Sequence, residues 1–179
     1  MTDRRAVLLE TAARVLAKDP AATLGEIAAA AGVGRTTLHR AFPTREDLLR
    51  TLALDALGRV RSAIDAAAPP DRPAPQALQA VAEAVLPIAD EMRFLDAGPE
   101  VWDLPEMRDA WWTVAESLSE LVDRGKRDGD LRPDVPTEVV VDAFVGALWG
   151  VADGIHEGRV APARAARHLT DLLLRGVAR

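Results

Sequence analysis

Apolar residues recur along this chain at three- and four-residue spacing, and backbone breakers cut that pattern at fixed places. The breaks fall at Asp19-Pro20, Gly32-Val33-Gly34, Phe42-Pro43, the stretch 69–75 (PPDRPAP) and the turn-rich stretch 125–136. Proline lacks the amide hydrogen and pushes the residue before it out of the helical region, so each one ends or kinks a helix. No segment alternates apolar and polar residues over the length of a strand. Ala supplies 34 of the 179 residues and Tyr none, which favours helix over sheet. The chain reads as all-α. It is long enough to bury about two-thirds of its unfolded surface without a staple. The absence of cysteine excludes disulfides, thiolate catalysis and Cys-type zinc sites. No run approaches 18 consecutive apolar residues, and the first residues lack a signal-peptide core, so the expectation is a cytoplasmic protein with no membrane partner.

Residues 4–18 set Leu8, Leu9, Ala12, Val15 and Leu16 on one helical face. Thr23-Leu24-Gly25-Glu26 reads as a capping box, in which hydroxyl and carboxylate each satisfy an amide at the helix start. Leu24, Ile27, Ala28 and Ala31 form the apolar face of that short helix, and Gly32 stops it. A third helix runs from Arg35 to about Phe42, with Val33 and Leu38 spaced as a hydrophobic staple. Thr44 caps a fourth, which continues to about Ala67. Beyond the proline-rich connection, helices are expected over 76–95 (kinked at Pro87), 105–127, 136–157 and 162–177.

Two short helices joined by a tight glycine turn make a helix-turn-helix candidate. The net charge of −6 argues against a chain that coats nucleic acid indiscriminately. The charge is unevenly spread, however: residues 1–58 are close to neutral, and the acidity lies in the remainder. Arg35 and Arg45 both sit in the first turn of a helix, where a cation opposes the dipole at a cost of roughly 0.3–1 kcal/mol each. Both become favourable beside a phosphate, which points to a missing polyanion.

Residues 24–49 (LGEIAAAAGVGRTTLHRAFPTREDLL) hold Ile27-Ala28, Ala31-Gly32-Val33, Leu38, Phe42-Pro43, Thr44, Arg45, Glu46 and Leu48. In that order they resemble the DNA-binding signature of the TetR/AcrR family of transcriptional regulators. The resemblance implies an N-terminal three-helix helix-turn-helix DNA-binding domain over 1–58. A C-terminal helical ligand-binding and dimerisation domain would follow over 59–179. Arg35, Thr36, Thr37 and Arg40 would then meet base edges and phosphates of a double-stranded DNA operator. Thr23 and Arg45 resemble the family's phosphate contacts, and His39 stands where the family has a phosphate-touching Tyr. Gly34 replaces the usual Ser or Thr, and Ala41 the usual His or Tyr. The implied function is a ligand-responsive homodimeric regulator, most often a repressor, that binds an inverted repeat and is released by a small-molecule effector. The three departures support an alternative, a helical ligand-binding or protein-interaction module with a degenerate DNA-binding head.

Gly146, Gly150 and Gly154 recur every fourth residue, and glycine inside a helix costs about 1 kcal/mol, so another helix must approach closely. The approach is either internal or between subunits. The resemblance favours a homodimer interface built from Phe144, Ala147, Gly150, Val151, Gly154, Leu169, Leu172 and Leu173. Met92, Phe94, Trp102, Met107, Trp111, Trp112 and Trp149 each read as core, and as a group they are candidates for an apolar effector cavity. Enzyme signatures are absent: there is no HExxH, GxSxG or complete phosphate-binding glycine motif, and Asp153 with His156 reads as a surface pair. No cofactor or metal is expected.

Overall fold

The computed structural model describes residues 4–92 and 99–177, which are helical with no strand among them. The helices are α1 (Arg4–Lys18), α2 (Leu24–Ala30), α3 (Arg35–Ala41), α4 (Arg45–Ala67), α5 (Ala74–Glu91), α6 (Pro105–Asp128), α7 (Thr137–His156) and α8 (Pro162–Val177), with a short 3-10 turn at Pro99–Asp103. Phe94 lies outside the described residues. Two compact units divide the chain, Met1–Ala56 with Glu91–Ala110, and Leu57–Asp90 with Trp111–Arg179. The first boundary falls inside α4, and Glu91–Ala110 groups with the N-terminal helices.

In the first unit α1 packs on α2 and α2 on α3. Their inward residues, Leu8, Ala12, Leu16, Ile27, Leu38 and Phe42, are all buried, while Leu24 and Val33 are half-buried. The starts of α2 and α4 are capped locally. The Thr23 hydroxyl accepts from the Glu26 amide, and the Thr23 amide donates 2.7 Å to the Glu26 carboxylate. Thr44 and Asp47 repeat the reciprocal arrangement at α4, at 3.0 and 3.2 Å. The α2 end is a Schellman closure: the Gly32 amide donates to the Ala29 carbonyl and the Val33 amide to the Ala28 carbonyl. That closure needs a left-handed residue, and Gly32 has φ +65°.

In the second unit α7 pairs with α8. Pro87 lies inside α5 without ending it. Gly125 on α6 is a close-approach site, because a Cβ there would collide with the Ala74 side chain at the start of α5. The α5 start is further held by the Ala74 amide donating 3.0 Å to Asp130. Ser117 is buried with its hydroxyl donating 3.2 Å to Asp65. Among the described residues, α7 is the one helix long and apolar enough to cross a membrane by length and composition alone, and only 33% of that stretch is buried.

Replacing Gly32 with Ala should leave the space around it free but force a Cβ into the left-handed region. The expected loss is about 1–2 kcal/mol in denaturant unfolding. Unchanged stability would mean the turn does not require that conformation.

Candidate nucleic-acid interface

α3 has seven residues, and only one of them is committed to the core. Leu38 is 1% exposed, whereas Arg35, Thr36, His39 and Arg40 are exposed and Thr37 is half-buried. A helix this short cannot hold itself together in water. It is held by Leu38, by the buried Phe42 that follows it, and by the Gly34 carbonyl, which accepts from the Thr37 amide at 2.9 Å. The Arg5 guanidinium covers the Phe42 ring at 5.5 Å from its centre. The result is a polar face with two guanidinium groups and no carboxylate, standing on a fixed apolar base. Its dimensions and chemistry suit a DNA major groove, which reads hydrogen-bond donors and acceptors on base edges.

The two remaining sequence candidates are engaged within the chain. The Thr23 hydroxyl donates a hydrogen bond to the Glu26 carboxylate at 2.8 Å. Arg45, whose charge looked misplaced at a helix start, donates to the carbonyl of Ala22 at 2.6 Å and to that of Pro20. The guanidinium thus joins the start of α4 to the turn between α1 and α2. Nothing in the sequence marks those two carbonyls as its partners. Arg50 adds ion pairs to Asp47 at 3.3 Å and Glu106 at 3.2 Å. Both pairs are solvent-exposed and screened, so they add little to stability.

The other candidates are dispersed. Met92 and Met107 are buried in the first unit, where Trp102 is half-buried. Trp111 and Trp149 belong to the second unit and are half-buried, and Trp112 is 73% exposed. A groove of about 350 Å³ in the second unit is lined by Glu83, Leu86, Pro87, Ile155, Pro162, Ala163, Ala166 and Arg167. Of the interface candidates, Phe144 and Leu169 are spent in the unit's own core. Gly154 is buried where a Cβ would strike Val160, so its small size serves the α7–α8 turn. Gly150 and Leu172 are exposed, the latter at 77%, and Ala147, Val151 and Leu173 are half-buried. Among the described residues, no group of three or more His, Asp or Glu could hold a metal ion.

Comparison with known proteins fits this geometry. Residues 8–52 match the family described as bacterial regulatory proteins, tetR family. The HTH-type transcriptional repressor LfrR of Mycolicibacterium smegmatis is 38% identical over 132 residues, 74% of this chain and 68% of the relative. The HTH-type transcriptional regulator NfxB of Pseudomonas aeruginosa is 30% identical over 94% of this chain and 91% of its own. The chain belongs to the TetR family. A solved structure of LfrR from Mycobacterium smegmatis in complex with proflavine superposes on this TetR-family chain with a TM-score of 0.82. It is 30% identical and covers 98% of both chains. The TetR regulator SCO0520 of Streptomyces coelicolor gives 0.68 at 28% identity, covering 97% of this chain and 98% of its own. The protein is a TetR-family transcriptional regulator with an N-terminal helix-turn-helix DNA-binding domain.

Removing the Arg45 guanidinium by Arg45→Ala should cost about 1–3 kcal/mol of unfolding free energy, because two charge-assisted bonds are lost. Wild-type stability would show that the ties to Pro20 and Ala22 do not hold the α4 start. A second expectation concerns pH. The Glu26 carboxyl is held below its ordinary range, first by the Thr23 amide and then by the Thr23 hydroxyl. A lowered folded value means this stabilisation is complete above the ordinary carboxylate range and disappears as pH falls through the lowered one. Glu26→Gln keeps a capping acceptor without titrating, so its acid-side decline in stability should be shallower than that of wild type. Matching acid limbs would contradict the assignment.

Proposed function

We propose that this chain is a ligand-responsive, homodimeric transcriptional repressor that acts in the cytoplasm by binding, not by catalysis. One α3 per subunit would enter a major groove, and the two together would read an inverted repeat. The observation that carries the reading is the α3 face: Arg35, Thr36, Thr37, His39 and Arg40 turned away from a core that fixes Leu38 and Phe42. The acidic remainder of the chain restricts DNA contact to that head. Dimerisation is supported by the uncovered face of α7 and α8. Val139 (53% exposed), Gly150 and Leu172 stand open there, and a second copy of the same helices would cover an apolar surface that water disfavours. The effector would be a small, largely apolar molecule taken up by the helical second unit, and the LfrR complex makes proflavine the first compound to try. Release would follow if the effector binds better to a conformation whose heads no longer fit the repeat.

A gel mobility-shift assay on the DNA upstream of the chain's own gene tests the reading. We expect retardation of that duplex over a scrambled one, weakening with salt and reversed by proflavine. Equal retardation of both duplexes, or none, would favour the degenerate-head alternative. Gly150→Leu tests the dimer. Its position is open within the chain, so the subunit should fold normally while sedimentation shows monomers and operator binding drops. A normal dimer would place the interface elsewhere.

A further inference from the structure

Gly25 is the second residue of α2, in its first turn, where a side chain would be compatible with the helix. Its neighbour explains the choice. A Cβ built on Gly25 would stand 2.9 Å from Nη2, 3.0 Å from Nε and 3.1 Å from Cζ of Arg35. Three atoms of one guanidinium at nearly equal distance mean that the group lies across the glycine. The Arg35 side chain therefore does not run outward along α3, the direction a base-reading arginine must take. It folds back over α2, the first helix of the motif. In helix-turn-helix proteins that helix crosses the sugar-phosphate backbone while the second lies in the groove.

We propose that Arg35 grips a backbone phosphate and does not read a base, and that Gly25 is the positioning residue that makes this placement possible. The inference rests on the DNA-binding reading above and divides its labour. Arg35 anchors the protein on any sequence, and discrimination falls to Thr36, Thr37, His39 and Arg40, which lie farther along the exposed face.

The test is a double-mutant cycle on the full chain with Gly25→Ala, Arg35→Ala and the pair. Each protein is titrated with the duplex from upstream of its own gene and with a scrambled duplex of the same composition, at several salt concentrations. Arg35→Ala should weaken binding to both duplexes by the same factor. It should leave their ratio unchanged and reduce the slope of log affinity against log salt by about one per bound subunit. Gly25→Ala should reproduce part of that loss without lowering the melting temperature, since the three nearest atoms it meets are the end of a flexible side chain. In the Arg35→Ala background it should change nothing. A fall of about tenfold or more in the ratio of the two affinities on Arg35→Ala would mark a base contact and overturn the proposal. Equal effects of Gly25→Ala with and without Arg35 would overturn the positioning role. Failure of wild type to bind either duplex would remove the DNA-binding reading and this inference with it, and that outcome is distinct from the other two.

Discussion

Two seven-residue helices cannot form on their own, because the entropy of nucleating a helix exceeds what one or two turns return. The head of this protein is therefore a question of what else holds α2 and α3. The answer combines three local closures with one buried cluster. Thr23 with Glu26 opens α2, Gly32 closes it, and Thr44 with Asp47 opens the helix that follows α3. Ile27, Leu38 and Phe42 then supply the apolar contacts that make these turns cooperate. Because α3 contributes only Leu38 to that cluster, nearly all of its surface is free for another molecule.

The same closures decide which polar groups remain available. Thr23 and Arg45 are of residue types that bind phosphate, yet here they join the chain to itself. Thr23 does so through a capping box, and Arg45 through two carbonyls of the α1–α2 turn. Arg35, Thr36, His39 and Arg40 make up the opposite class, exposed side chains on a fixed base. Those exposed side chains stand on a helix whose orientation is set by residues that do not themselves face solvent.

Much of this was legible in the sequence because it is local. The capping box spans four residues, the Gly32 stop follows the last turn of α2 directly, and Leu38 falls at the staple spacing, so each signal sits within a few positions of its effect. What the sequence could not convey depends on contacts between distant positions. Arg45 meets carbonyls 23 and 25 residues away. Glu91–Ala110 joins the N-terminal unit although some 35 residues separate it from Ala56, and no composition change marks that return. The glycine stripe on α7 looked uniform, but Gly154 answers to Val160 of its own chain while Gly150 stands open.

The central claim is that a rigid three-helix head presents α3 to DNA. Amide hydrogen exchange of the full chain, with and without the duplex from upstream of its own gene, tests it most directly. Added protection should centre on Arg35–Ala41 and the start of α2, with Leu57–Asp90 little changed. Protection confined to the Leu57–Asp90 and Trp111–Arg179 unit, or absent throughout, would contradict the account.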